Sequence, residues 1–87
     1  MHAYFFTSPT CGPCKVIKPA VEDIKEEFEG KLQWVSCNTH NDTQGYAPRF
    51  GIKVVPSIVV LKNDQEIGRY SGTQMMMWYT LIRKALA

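Results

Sequence analysis

Several classes of protein depend on features that this 87-residue sequence lacks. No apolar stretch approaches the roughly 20 residues that cross a bilayer. Residues 1–6 have no basic region, long apolar stretch or small-residue cleavage site of the kind that marks a signal peptide. The net charge is only +2, too small to indicate binding to nucleic acid or to an anionic membrane. We therefore expect a soluble, cytoplasmic protein that binds neither, and we expect it to be a monomer.

Internal repeats, low-complexity tracts and linkers are absent as well. A chain of this length has room for one hydrophobic core and not for two. The composition, 45% hydrophobic and 21% charged, is that of an ordinary globular protein. Residues 1–87 are therefore expected to form a single domain.

Cysteine is scarce, and the odd number of three argues against a static framework of disulfides. In a reducing cytosol, a pair such as Cys11 and Cys14 is more often catalytic or metal-binding than a structural disulfide. No second pair of metal ligands stands at a suitable spacing, so we expect no metal and no bound cofactor. A structural disulfide or half of a zinc site is the alternative. Cys37 is expected to be a small, partly buried thiol; the alternative places it behind the site, near Cys14, as a regulatory or second resolving thiol.

The first half of the chain predicts two strands and two helices. Residues 4–6 are typical of a buried central strand, and Ser8 or Thr10 is expected to cap the helix that follows. Gly30 ends that helix, whose apolar face consists of Cys14, Ile17, Val21, Ile24 and Phe28. The next strand has Leu32, Trp34 and Ser36 facing inward. After it we expect a polar loop over residues 37–46 and a short helix from Tyr46 to Phe50.

The second half predicts a hairpin and a last helix. Pro56 cannot sit in the middle of a strand ladder, so the third strand should begin at Ser57. Asn63 and Asp64 are turn residues, and the fourth strand covers residues 66–70. Thr73 is expected to cap the final helix, whose inward side chains are Trp78, Leu81, Ile82 and Leu86. The order βαβαββα indicates an α/β fold, in which three helices flank a four-stranded mixed sheet.

The two cysteines fall where the first strand gives way to the first helix. Only a thiolate attacks a disulfide, and the free N–H groups and partial positive charge of a helix N-terminus stabilise one. Lys15 and Lys18 can add to that effect, Gly12 leaves room for a substrate backbone, and Pro13 is tolerated in a first helical turn. Cys14 lies on the apolar face and should be shielded, whereas Cys11 should be exposed. We therefore expect Cys11 to be the nucleophile and Cys14 to resolve the mixed disulfide.

At this point the chain resembles the thioredoxin family. Residues 10–28 carry the Cys-Gly-Pro-Cys-Lys run and a helix proline, and residues 47–57 are similar to a second family signature, whose proline is cis. The resemblance covers nearly all of the chain, without the family's usual N-terminal strand and helix. It implies a minimal thioredoxin fold, in which Pro56 lies against the cysteines and Val55 offers backbone groups to a substrate.

The sequence departs from the family at four positions. Thr10 and Thr7 stand where the family has tryptophans. Phe5 aligns with a buried aspartate that helps to deprotonate the second cysteine, and Cys37 aligns, within a residue or so, with the lysine that pairs with it. We expect Cys14 to lack protein-supplied help in losing its proton, so that resolution depends on pH and solvent.

The resemblance implies a protein-disulfide reductase that takes part in electron transport and cell redox homeostasis. Its partners would be disulfide-bearing proteins and, as electron donor, a thioredoxin reductase. Two alternatives stay open: a glutaredoxin-like, glutathione-dependent reductase, and a binding or accessory module in which redox chemistry is incidental.

Overall fold

The structure is a computed structural model that describes all residues from Met1 to Ala87. The elements follow the predicted order βαβαββα, and seven of them form the fold. Their bounds are β1 His2–Thr7, α1 Gly12–Glu27, β2 Gln33–Asn38, α2 Tyr46–Phe50, β3 Ser57–Lys62, β4 Gln65–Ser71 and α3 Met75–Leu86. None of the helices has the length and apolarity needed to cross a membrane.

The four strands form one mixed sheet in the order β2-β1-β3-β4. β1 runs parallel to β2 and antiparallel to β3, and β3 and β4 form an antiparallel hairpin. Asn63 and Asp64 make its turn with positive φ angles of 54° and 64°, a conformation that Asn and Asp tolerate better than most residues. The expectation of a four-stranded mixed sheet with a terminal hairpin is confirmed.

The two central strands are buried on both faces, which is why they are apolar almost without interruption. Successive side chains of a strand point to opposite faces, so neighbours in β1 belong to different cores. Phe5 packs on the face covered by α1 and α3, against Trp78 at a ring distance of 5.2 Å. Phe6 packs on the other face, in a smaller cluster that α2 covers. The sheet therefore separates two apolar layers.

The apolar face predicted for α1 is confirmed, because all five of its residues are buried. The helix ends at Glu27 with Phe28 as its C-cap residue, and Gly30 follows with a φ of +80°. Pro19 lies inside the helix.

Three local expectations were wrong. Ser36 is exposed, and β2 continues through Cys37, which was assigned to a loop, because pairing with β1 extends to Asn38. Gln74, and not Thr73, is the N-cap residue of α3, and its side chain makes no capping hydrogen bond. On α3, Leu81 and Leu86 are only half-buried, and the smaller Ala85 packs into the core beside Trp78 and Ile82.

Candidate active site

Cys11 stands at the N-terminus of α1 as its N-cap residue. The backbone N–H of Cys14 donates a hydrogen bond to the Cys11 Sγ atom at 3.1 Å. The expected caps do not fill this position: the hydroxyls of Ser8 and Thr10 lie 3.3 Å apart and bond to each other. The hydroxyl-cap prediction was wrong because sulfur occupies the place where a capping oxygen would accept.

Cys11 and Cys14 are joined by a disulfide bond, with their Cα atoms 5.3 Å apart. Gly12 and Pro13, between them, are exposed in the first turn of the helix. Free N–H groups and partial positive charge gather at this end of a helix, and both favour a thiolate once the disulfide is reduced. Lys15 follows directly, also exposed.

The burial of the two cysteines differs from the prediction for one of them. Cys14 is 5% exposed, as its place on the apolar face of α1 predicted, but Cys11 is only 7% exposed instead of open to solvent. In the disulfide state its sulfur is bonded to Cys14 and lies 3.6 Å from the carbonyl oxygen of Val55. The helix end and the loop before β3 therefore cover Cys11 from two sides.

The loop that reaches Cys11 contains a cis peptide bond between Val55 and Pro56. Pro56 is buried and stands directly before β3, so it takes no place in the strand ladder, as expected. The structure thus brings the segment around Pro56 against the cysteines. No hydrogen bond within the chain uses the Val55 amide as a donor.

Four hydrogen bonds connect this loop to β3, to the end of β4 and, through Gly72, to α3. The Ser57 hydroxyl donates to the carbonyl oxygen of Val54 at 2.6 Å and lies 2.7 Å from the Ser71 hydroxyl. The backbone N–H of Gly72 donates to the carbonyl oxygen of Pro56 at 3.0 Å. The Trp78 indole N–H in turn donates to the carbonyl oxygen of Gly72 at 3.2 Å.

Gly72 needs to be glycine for a second reason besides its φ of +138°. A Cβ atom at that position would lie 2.8 Å from the Tyr70 hydroxyl oxygen, so the Tyr70 ring would have to move to admit a side chain. Sequence reasoning did not identify the roles of Ser57 and Ser71. The one available signal was a hydroxyl side chain directly after Pro56, followed by four apolar residues of the same strand.

A cleft of about 420 Å³ lies between α1 and the sheet, beside Cys14. We call it the α1 cleft, and its lining includes Phe5, Cys14, Lys18, Glu22, Lys25, Ser36 and Asn38. Its only carboxylate is that of Glu22, which lies 3.8 Å from the Lys25 ammonium. Phe5 stands where the family's buried carboxylate would be, so the α1 cleft offers Cys14 no nearby base of that kind.

The strand register shows which residue of β2 lies beside Phe5. Phe5 pairs with Ser36 across the parallel strands, and Phe6 pairs with Cys37. Residues that pair in a sheet share a face, so the side chain beside Phe5 is Ser36 and not Cys37. Ser36 lies within the one-residue margin of the alignment that placed the family's lysine at Cys37.

Cys37 lies on the opposite face of the sheet from Cys14. It is 6% exposed within the smaller apolar cluster, among Tyr4, Phe6 and Val59. Burial, helped by the negative charge of Asp42, raises the pKa of the Cys37 thiol to about 11. The expectation of a small, partly buried thiol is confirmed, and the alternative that placed it behind the site near Cys14 was wrong, because the two residues lie on opposite faces of the sheet.

No three His, Cys, Asp or Glu side chains lie close enough together to hold a metal ion. The redox-active element in the structure is the Cys11–Cys14 disulfide itself.

Comparison with known proteins places these features in context. The sequence model of the thioredoxin family matches residues 4–82. Over 67 residues, 77% of this chain, the sequence is 36% identical to the thioredoxin of Haemophilus influenzae and 34% identical to thioredoxin 1 of Nostoc sp.. The chain spans 62% of the length of each of these relatives.

Solved structures show the same architecture. The chain superimposes with a TM-score of 0.89 on a structure from the complex of ferredoxin:thioredoxin reductase with thioredoxin f2. The match covers 99% of this chain and 77% of that one, at 23% identity. At that identity the likeness speaks for the fold alone, and it confirms the minimal thioredoxin fold expected from the sequence.

Proposed function

The chain belongs to the thioredoxin family, and we propose that it reduces protein disulfides through a dithiol–disulfide cycle of Cys11 and Cys14. The observation that carries the proposal is the disulfide at the N-terminus of α1, with Cys11 beside the Val55 carbonyl. This placement puts a disulfide, which can accept and donate two electrons, beside a backbone segment that a substrate can reach.

The forward reaction starts from the reduced pair. The Cys11 thiolate attacks one sulfur of a substrate disulfide, which breaks that S–S bond and releases the other substrate sulfur as a thiolate. Cys14 then loses its proton and attacks the Cys11 sulfur, which releases the second substrate thiolate and forms the Cys11–Cys14 bond. Two electrons pass from the protein to the substrate, and both substrate sulfurs leave as thiols once protonated.

The order of attack follows from where the two sulfurs stand. Cys11 is the N-cap residue, so the partial positive charge of the helix and the Cys14 N–H both stabilise its thiolate. Cys14 lies on the inner face of α1 with Ile17 and Val21, is 5% exposed, and borders the α1 cleft. A substrate therefore meets Cys11 first, and Cys14 is placed to attack only the neighbouring sulfur.

The substrate is held beside Cys11 by its backbone. The unused Val55 amide is a free donor for an extended segment, as at the edge of a sheet. Gly12 and Pro13 are exposed next to Cys11, and the space around Gly12 is free, so a substrate backbone can approach from this side. Lys15 contributes positive charge at the helix end.

The proposal also covers the electron donor, the cellular location and the oligomeric state. The oxidised pair needs an external electron donor, and a thioredoxin reductase is the donor we propose; membership of the thioredoxin family supports this. The protein would act as a cytoplasmic monomer, one domain over residues 1–87, in electron transport and redox homeostasis. It would use no bound cofactor beyond its own disulfide.

The test is reduction of insulin disulfides, run first with dithiothreitol and then with NADPH and a thioredoxin reductase. We expect turnover in both assays, loss of turnover in Cys11→Ser, and full activity in the matched control Cys37→Ser, since Cys37 lies across the sheet. A wild-type rate no higher than the dithiothreitol background would overturn the proposal. Recycling by glutathione but not by the reductase would replace the proposed electron donor.

A further inference from the structure

A second cavity adjoins the disulfide, and Ser8 lines both this cavity and the α1 cleft. This groove of about 420 Å³, which we call the basic groove, is lined by Ser8, Thr39, His40, Ala47, Pro48, Ile52, Lys53, Val54 and Val55. Two of these residues contact Cys11: the Ser8 carbonyl accepts the Cys11 N–H at 3.2 Å, and the Val55 carbonyl lies 3.6 Å from its sulfur. A peptide segment that reaches Cys11 along Val55 therefore passes over the basic groove.

The polar groups that line the basic groove are unbalanced in charge. Lys53 supplies a fixed positive charge, and His40 supplies a ring N–H in either of its protonation states. Both side chains are exposed, and neither forms an ion pair within the chain. No Asp or Glu lines the basic groove.

The acidic residues of the chain lie elsewhere. Glu22, Asp23, Glu26, Glu27 and Glu29 lie along the second half of α1 and just beyond it, towards the opposite end of the sheet. Asp64 and Glu66 flank the start of β4, at the end of the hairpin far from Ser57. Asp42 is the exception by position, but its carboxylate already accepts the backbone N–H groups of Tyr46 and Ala47 at 3.0 and 2.8 Å.

We infer that the basic groove selects disulfide substrates in which acidic side chains flank the attacked cysteine, and that Lys53 and His40 are the residues that make the selection. This inference rests on the proposed function and names the substrate class for it. Backbone pairing at Val55 accepts any sequence, because every residue offers the same main-chain groups. Discrimination must then come from side chains beside that backbone, and those present here favour a carboxylate over an ammonium group.

The experiment uses three peptides, each closed by one disulfide and identical except for the residues flanking the cysteines, which are Asp, Asn or Lys. At low salt we expect kcat/KM for the Asp peptide to exceed that for the Asn peptide by about threefold to tenfold, as for one or two partly exposed ion pairs. The Lys peptide should be slower than the Asn peptide. At about 1 M salt, where the Debye length is about 3 Å, the three rates should converge.

Matched variants distinguish the effect of the basic groove on the substrate preference from the effect of the protein's net charge. Lys53→Glu should abolish or reverse the preference, whereas Lys84→Glu, which changes the net charge equally in the last turn of α3, should preserve it. His40→Gln should weaken the preference, and His2→Gln, at the far end of β1, should not. Equal wild-type rates for the Asp and Asn peptides, or an equal loss of preference in Lys53→Glu and Lys84→Glu, would overturn the inference.

A redox-inert measurement keeps this inference distinct from the proposed function. In a version of each peptide both cysteines are serine, and binding is followed by NMR shifts of the Lys53 and Val55 amides. If no disulfide peptide is reduced, the proposed function fails, while tighter binding of the inert Asp peptide would still support the groove's selectivity. If all are reduced equally and the inert peptides bind equally, the function stands and the selectivity is refuted.

Discussion

Phe5 and Ser36 are paired residues on the parallel strands β1 and β2, and both side chains line the α1 cleft beside Cys14. The relationship places an aromatic ring and a hydroxyl where the family resemblance implies a charged pair. The only carboxylate of the α1 cleft, that of Glu22, stands two helical turns from Cys14 and close to Lys25. We therefore expect solvent, and not a buried carboxylate, to take the proton of Cys14.

The rate at which Cys14 resolves a mixed disulfide should therefore follow the solvent pH. The thiolate fraction of a thiol rises about tenfold per pH unit below its pKa. We expect single-turnover release of a substrate thiol to be many times faster at pH 8.5 than at pH 6.5. Cys14→Ser, which cannot resolve, sets the background. A rate that stays flat over this range would show that another group takes the proton.

Lys18 should assist the same step through its charge. It lines the α1 cleft one helical turn after Cys14, and a positive charge at that range favours a thiolate. Because Lys18 is exposed, the effect should be modest: Lys18→Met is expected to slow resolution about twofold to threefold at low salt. Lys62→Met, at the far end of β3, is the matched control. Identical resolution rates in the two variants would show that the Lys18 charge does not assist Cys14.

Cys37 should be unreactive in the folded protein. Burial and Asp42 raise the pKa of its thiol to about 11, so almost none of it is thiolate at pH 8. In the reduced protein a thiol reagent should modify Cys11, at the helix N-terminus, first, and Cys37 only after unfolding. Cys37→Ser should leave the fast reaction unchanged and remove the reaction that needs unfolding. Rapid modification of Cys37 in the folded protein at pH 8 would contradict this placement.

The same pKa makes stability depend on pH in a defined direction. The folded value of about 11 lies above the ordinary value of 9.0, so the folded state holds the Cys37 proton more tightly than the unfolded state does. This contribution is complete below pH 9 and declines as the pH rises through 11. The loss of unfolding free energy between these values should be smaller in Cys37→Ala. Asp42→Asn should lower the Cys37 pKa, since it removes one of the two causes.

Ser57→Ala should loosen the loop that carries Pro56. The substitution removes the hydroxyl that donates to the Val54 carbonyl and leaves the Ser71 hydroxyl without that partner. We expect the free energy of unfolding to fall by about 1–3 kcal/mol and kcat/KM for a disulfide substrate to fall with it. Thr80→Ala removes a hydrogen bond from an exposed hydroxyl to the Met76 carbonyl, and should cost less than about 0.5 kcal/mol without affecting turnover.

The fold could be predicted from the sequence largely because its signals are local. The apolar face of α1, the turn at Asn63 and Asp64, and the start of β3 after Pro56 each follow from a few neighbouring residues. The cap residues were harder to predict, because several polar residues near each helix start could occupy the N-cap position and tertiary contacts decide between them. On α3, Ala85 rather than Leu81 or Leu86 packs beside Trp78, a choice set by the space that the sheet leaves.

The sequence motif of the site could be predicted, but the burial of its residues and the side chains around them could not. The cysteine pair and its helix N-terminus follow from the sequence. The burial of Cys11 depends on a loop 44 residues further along the chain. The pairing of Phe5 with Ser36 likewise needs the register of two strands, and an error of one residue moves a side chain to the other face of the sheet.

The alternation of Phe5 and Phe6 between two cores restricts how this chain can change in length. Deleting or inserting one residue within β1 would exchange the side chains of both apolar layers at once and would also shift Cys11 relative to Val55. Length variation should therefore be confined to segments outside the strand ladders and away from the site, such as the turn at Asn63 and Asp64. Peptide tags and reporter loops belong at those positions.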